Sequence, residues 1–300
     1  PFPAGMCCTV DMKLCLVVAE ETVDQAAETL GRYDKVVPIF EVRADFLADL
    51  GPDSAALLRS RTDRSLIFTA RLRADGGRWT AGPAARRRAY ERAVAAGFDY
   101  VDLEIGAFPD LDTGGRTRVI RSFHDMGGMP RNIREIFARA CGNPGEIPKI
   151  AVTLNRPEDT VRFLEWNAEL RASGTAPRVV TAMGRKGAFS RILGSRLGIE
   201  HTYVPVPGKL LLPGMVGLDA MTEGYRADRI GDRTEVYGLV EPSSTYVPPE
   251  AEEPEDFRPG ADPGADAVRV PFVLDSEEEC RALRDFFRIE GFYSRNSRSS

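Results

Sequence analysis

A closed barrel of eight parallel strands, each feeding a helix, is the fold class predicted by three observations. Eight short apolar runs recur between Met12 and Val206. Helix-like patterns separate most of them. Polar and charged side chains collect at the C-terminal ends of six consecutive runs, where a barrel of this kind carries its chemistry. An open doubly wound sheet is the alternative fold.

The runs, in order, are Leu14–Val18, Val37–Val42, Leu66–Arg71, Tyr100–Leu103, Val119–Phe123, Ile147–Val152, Val179–Met183 and Thr202–Val206. All are strand-length. Helical patterns cover Thr22–Tyr33, Ser54–Arg61, Ala84–Ala96, Asn132–Ala140, Asp159–Leu170 and Phe189–Leu197. The polar Asp110–Arg116 stretch between runs four and five is short for a helix. The strand-end residues are Glu41, Arg43 and Asp45; Thr69 and Arg71, then Asp75-Gly-Gly77; Asp102 and Glu104; Ser122, His124 and Asp125; Lys149; and Met183 leading to Ser190-Arg191. Residues two apart on a strand share a face, so Glu41 with Arg43, and Thr69 with Arg71, can reach one pocket. The glycines after Asp75 permit a tight turn beside it.

Within Ile147-Pro-Lys-Ile-Ala-Val-Thr153, strand alternation puts Lys149, Ala151 and Thr153 on one side. Burial favours the neutral, nucleophilic amine of a lysine. An edge lysine in water is the plainer reading of Lys149 alone. The preceding strand, however, ends in His124, one of only two histidines in the chain.

With 43% hydrophobic and 28% charged residues, 300 residues can build a sizeable core. The net charge of −5 argues against nucleic acid or anionic membrane as the main partner. No run is long enough to span a membrane, and no signal peptide stands out. The chain opens on Pro1, so a natural start can lie further upstream. Five cysteines (Cys7, Cys8, Cys15, Cys141, Cys280) show neither C-x-x-C pairs nor metal spacing, which implies reduced thiols and no zinc site. The Ala84–Tyr90 stretch, with three arginines, reads as a solvated helix face. Lys186 and Lys209 read as solvated loop lysines, and His201 as an exposed histidine away from the mouth. Asp102 and Glu104 read as supports, and Trp79 and Trp166 form no base-stacking pattern.

Glu41-Val-Arg43, Thr69-Ala-Arg71 with Asp75-Gly-Gly, Val101-Asp-Leu-Glu104, Ser122-Phe-His124-Asp125, Pro148-Lys149-Ile-Ala-Val152, Met183 to Arg191 and Pro213-Gly214 resemble the type I 3-dehydroquinate dehydratases in order and spacing. The resemblance spans about residues 12–221. It implies a lyase of the shikimate pathway, in aromatic amino acid biosynthesis, that converts 3-dehydroquinate to 3-dehydroshikimate. It further implies that Lys149 forms an imine with the C3 ketone and that His124 moves the protons. Asp75 would orient the histidine, and Arg191 would hold the carboxylate. Glu41, Arg43 and Arg71 would hold ring hydroxyls, with Met183 and Met215 beside them. The resemblance implies neither metal nor cofactor, a small-molecule partner, and allows a homodimer. A cytoplasmic enzyme and a plastid enzyme lacking its transit peptide would read alike.

Three positions depart from the family pattern. Asp75 stands for a glutamate. Leu211-Leu-Pro213-Gly214-Met215 replaces Ser-x-Pro-Gly-Gln, removing hydrogen bonds worth on the order of 1.5–3 kcal/mol if made to a charged group. Thr181 stands for a methionine near the imine.

Residues 226–300 form a second, incomplete unit after a barrel of residues 1–225. It has a strand at Thr234–Val240, a Pro- and acid-rich insert at about 241–266 whose composition favours disorder, a strand at Ala267–Leu274 and a helix at Ser276–Phe287. Ser276 and Glu279 have capping-box spacing. This unit is similar to the start of a shikimate dehydrogenase, as fused after the dehydratase in bifunctional proteins. It lacks a Gly-rich nucleotide loop, so no dehydrogenase activity is expected. The alternatives to the lyase are a weakened or non-catalytic barrel that binds a related ring or a partner protein, and an imine-forming lyase for a ring without a carboxylate.

Overall fold

The computed structural model describes residues 11–175, 177–209, 212–253, 258–261 and 266–294. Eight parallel strands form the main sheet: β1 (Lys13–Val18), β2 (Ile39–Arg43), β3 (Ser65–Thr69), β4 (Tyr100–Glu104), β5 (Arg118–Asp125), β6 (Ile147–Thr153), β7 (Val179–Met183) and β8 (His201–Pro205). The ladder runs β7-β6-β5-β4-β3-β2-β1-β8, so each strand pairs with its sequence neighbour and β1 also pairs with β8. The two ends, β7 and β8, approach each other, which nearly closes the barrel. All eight expected strands are present, and the doubly wound alternative falls because its strand order would reverse at a switch point.

Helices α1 (Val23–Tyr33), α2 (Ser54–Arg59), α3 (Pro83–Ala95), α4 (Ile133–Ala140) and α5 (Pro157–Ala172) follow strands one, two, three, five and six. The pair α6 (Phe189–Ile192) and α7 (Gly194–Leu197) follows β7. Their starts are chemically marked. Thr22 and Gln25 exchange backbone–side chain hydrogen bonds of 3.3 and 3.2 Å at the head of α1. Pro157 opens α5, and the Asp159 carboxylate accepts the Arg156 N–H at 3.3 Å. Between β4 and β5 the chain makes turns through Gly114 and Gly115, both at positive φ, and no helix.

Strand alternation separates two cores. Outward residues such as Leu16, Phe40, Phe68 and Val152 pack beneath the helices. Inward residues Cys15, Val17, Ile39, Ile67, Ile120, Ile147 and Val179 fill the lumen. Above that apolar floor the same inward faces present Glu41, Thr69, Asp102, Ser122 and Lys149, all buried.

After β8 the chain builds a second, four-stranded sheet from β9 (Glu235–Val240), β10 (Gly260–Ala261), β11 (Ala267–Phe272) and β12 (Ile289–Tyr293), ordered β10-β11-β9-β12. Helix α8 (Glu277–Phe287) packs on α5 of the barrel. The insert is ordered where it is described: Thr245 and Tyr246 donate to the Leu274 carbonyl at 2.9 and 3.0 Å, and Glu252 bridges to Tyr293. These backbone bonds to the second sheet overcome the disorder-favouring composition; residues 254–257 and 262–265 lie outside the described residues.

Three expectations about single residues are corrected here. His201 is buried at the first position of β8. Lys186 is buried and paired with Asp275 and Glu279 of the second unit, at 2.8 and 2.9 Å. Lys209, by contrast, is an exposed loop lysine as expected, and it pairs with Glu20. The arginine run on α3 is not wholly solvated, because Arg86 is buried against Glu104 and donates to the Ala70 carbonyl at 2.7 Å. The capping box at α8 is half-formed. Ser276 caps the Glu279 N–H at 3.1 Å, but the Glu279 carboxylate is drawn to Lys186 and to Thr160. Pairing with a buried cation outweighs a return bond to the cap.

Candidate active site

The C-terminal mouth of the barrel encloses a cavity lined by Glu41, Arg43, Arg71, Asp75, His124, Lys149, Met183, Arg191 and Met215, with Val17, Gly76, Met126, Ala151, Thr181, Tyr203 and Leu212. Nine residues singled out from the sequence therefore share one cavity. Leu211 lies outside the described residues.

Lys149 projects inward from β6. Its Nζ donates to Asp102 Oδ2 at 2.7 Å, with Glu41 Oε1 farther off at 3.5 Å. On another side it lies 3.9 Å from the centre of the Tyr203 ring. Asp102, in the middle of β4, is the hub. It also pairs with Arg71 at 2.8 Å and accepts from Ser122 Oγ at 2.6 Å. Burial pushes the Asp102 carboxyl up, but Arg71 and Lys149, with His124, outweigh it and hold it well below the usual carboxylate range. Glu41 is fixed from the side by Thr69 Oγ1 at 2.9 Å.

His124, next to last in β5, has its Nδ1 3.2 Å from Arg71 Nη1. A guanidinium can only donate, so Nδ1 accepts and the ring proton sits on Nε2. Burial lowers the His124 pKa well below its ordinary value, and the charges of Arg71 and Lys149 lower it further. The ring is therefore neutral at pH 7. The sequence reading gives Asp75 the task of orienting this ring. In the structure the ring's hydrogen-bond partner is Arg71, and no hydrogen bond joins Asp75 to His124 among the described residues. Asp75 sits in a helical turn, Arg73–Asp75, folded tightly onto β3: a Cβ at Gly77 would stand 2.2 Å from the Arg71 carbonyl oxygen. Its shorter side chain ends at the cavity wall. Partial burial, then the charge of Glu104, raises its pKa. Arg71 lines the same cavity; its Nη1 lies 3.0 and 3.2 Å from Ser122 and His124, and its Nη2 pairs with Asp102 at 2.8 Å.

Arg43 is clamped by Asp45 through bonds of 2.9 and 2.8 Å. Arg191 differs. It is buried on α6, has no carboxylate partner among the described residues, and reaches only the Tyr203 carbonyl at 3.5 Å. Its Nε–H is buried without an acceptor, and burial lowers its pKa to about 10. A buried guanidinium in that condition is a receptor for an anion. The loop after β8 is seated by Gly214, at φ +80°, where a Cβ would fall 2.0 Å from the Gly184 carbonyl oxygen. Only glycine permits that approach.

Sequence reasoning left Tyr203 unmentioned and set His201 apart from the site. Tyr203 floors the lysine, and its hydroxyl lies 3.1 Å from His201 Nε2. Burial, then Lys149, lowers the His201 pKa to about 3. The signal available was position: residues 201 and 203 lie on the inward face of β8, as Lys149 does on β6.

Residues 14–232 match the family model described as Type I 3-dehydroquinase. The 3-dehydroquinate dehydratase of Methanocaldococcus jannaschii is 28% identical over 223 residues, covering 71% of this chain and 97% of that protein. The crystal structure of the 3-dehydroquinate dehydratase from Geobacillus kaustophilus superposes with a TM-score of 0.64 at 24% identity, covering 73% of this chain and 94% of the other. The dehydroquinate dehydratase and shikimate dehydrogenase structure from S. pombe AroM aligns with a TM-score of 0.63 at 21% identity. That alignment covers 96% of this chain and 57% of the other, so it includes the second unit. No helix among the described residues is long and apolar enough to cross a membrane.

Proposed function

The chain belongs to the type I 3-dehydroquinase family, and on that premise we propose that Lys149 and His124 carry out the dehydration of 3-dehydroquinate to 3-dehydroshikimate. The observation that carries this reading is the shared cavity: a lysine amine with one short carboxylate contact, and a neutral histidine, open onto the same space.

Lys149 attacks the C3 ketone of the substrate; two hydrogens of its ammonium group leave with the ketone oxygen as water, and a protonated imine remains. The protonated imine draws electron density from C2, making its proton acidic. His124 accepts that proton, and the electron pair forms the enamine. The enamine then expels the C1 hydroxyl, to which His124 returns the proton, so the hydroxyl leaves as water. Hydrolysis of the conjugated imine frees Lys149 and 3-dehydroshikimate. Arg71 fixes the resting ring of His124 with Nε2–H facing the cavity. To act as the base the neutral ring carries its proton on Nδ1 instead, which releases the Arg71 contact and frees the Nε2 lone pair for the C2 proton.

Arg191 supplies the charge that receives the substrate carboxylate. Glu41 and Arg43 meet ring hydroxyls, and Met183 and Met215 give apolar contact. Met215 puts hydrocarbon where the family pattern has a glutamine, so the cost of the lost hydrogen bond falls on substrate affinity. Intact-protein mass after 3-dehydroquinate and borohydride tests the reading. One reduced adduct mapping to Lys149 is expected. An unmodified, folded protein, or an adduct on another lysine, would sink it.

A further inference from the structure

Outside the barrel mouth a second cavity of about 570 Å³ lies between the loop after β2, the loop after β3 and the flank of α3. That volume is in the range of small-molecule sites. Its lining joins two chemistries. Arg78, Arg88 and Arg92 bring three positive charges, with Arg88 and Arg92 four apart on one face of α3. None of the three has an ion-pair partner among the described residues, while Arg87 on the same helix has two. The one carboxylate in the lining, Asp45, is already occupied by Arg43 and by the Arg78 backbone N–H at 2.9 Å. The excess charge is therefore uncompensated.

Apolar walls complete the cavity. Phe46 carries the Arg78 guanidinium 4.0 Å above its ring, and Arg43 of the substrate cavity contacts the same ring at 4.8 Å. Trp79, half-buried, lines the opposite side, and its indole N–H is buried without an acceptor among the described residues. Cations beside aromatic walls suit a planar anion, which takes charge-assisted hydrogen bonds at one end and ring packing at the other.

We propose that this cavity is a second binding site, for a small carboxylate or phosphate attached to an apolar ring, divided from the substrate cavity by Asp45 and Phe46. Trp79 is its reporter, since the only other tryptophan, Trp166, is buried on α5.

The test titrates the full chain with phenyl phosphate, benzoate and inorganic phosphate, following tryptophan fluorescence. Phenyl phosphate or benzoate should give a saturable change. In the Arg88→Ala/Arg92→Ala double variant, affinity should fall by about tenfold or more. These side chains are exposed and outside the substrate cavity, so turnover should be unchanged and will show that the variant is folded. Inorganic phosphate should bind more weakly than phenyl phosphate by about tenfold, for want of the ring. Equal affinity in parent and double variant would place the anion at Arg191 instead and overturn the proposal. Absence of a saturable change with either ring-bearing probe would overturn it too, and equal binding of inorganic phosphate would overturn the ring-bearing ligand class.

Discussion

Two lysines are buried among the described residues, and each has two carboxylate neighbours. Lys186, in the turn after β7, gives its three ammonium protons to the Val273 carbonyl, Asp275 and Glu279 at 2.8–3.1 Å. Lys149 has one short bond, to Asp102, and that carboxylate is shared with Arg71 and Ser122. The rest of its surroundings are a long contact to Glu41, the face of Tyr203 and the open cavity. Burial and charge pairing are common to both. Unfilled hydrogen-bonding capacity next to empty space belongs to Lys149 alone. It separates an amine placed to react from an amine that fastens one part of the fold to another.

The comparison breaks most sharply at Lys149→Ala. It should lower kcat by at least about 10⁴-fold and abolish the borohydride adduct. A variant with parental kcat would end the contrast. His124→Ala should cost about 10²–10⁴-fold in kcat, with substrate affinity largely kept; steady-state kinetics separates the two. Lys186→Ala should leave the adduct on Lys149 intact. It should lower the unfolding free energy by about 3–5 kcal/mol, because Glu279 is left buried without its cation. Urea titration that matched the parent would show that the fastening is ornamental.

The floor beneath Lys149 has its own signature. His201 is neutral in the fold, with its pKa lowered to about 3. The unfolded chain binds a proton there below about pH 6.5, and the native state does not. Stability should therefore fall as pH drops from about 6.5 towards 3, by about 1.4 kcal/mol per unit for this group. His201→Gln should flatten that slope between pH 6 and 5 in urea-midpoint measurements; an unchanged slope would exclude the buried neutral ring as its source. The smallest effect is expected at Asp75→Asn, where kcat should stay within about tenfold of the parent, since Arg71 rather than Asp75 holds His124. A drop as deep as that of His124→Ala would return the orienting role to Asp75.

Much of this was legible in the chain because period two is written directly into strands. The inward parity of Glu41, Arg43, Thr69, Arg71, Lys149 and Ala151 follows from alternation alone. Misreadings arose wherever a side chain's partner is remote in sequence. Lys186 looks like a loop lysine until residues 273–279 arrive from nearly ninety positions away. Arg86 looks solvated until Glu104 meets it, and His201 looks exposed because only the closing of β1 onto β8 buries it. The capping spacing of Ser276 and Glu279 is genuine, yet Lys186 competes for the same carboxylate and wins half of it.

The sequence by itself determined the order of strands and helices, and which side of each strand faces the lumen. Both depend on local periodicity and on residues close along the chain. Tertiary structure alone decided that Asp102 is the shared anion of the site. It decided that Arg71 rather than Asp75 aligns His124, and that Arg191 is left buried without an anion. Those outcomes depend on distances across a closed barrel, where charges compete for one carboxylate at low dielectric and the nearest partner prevails.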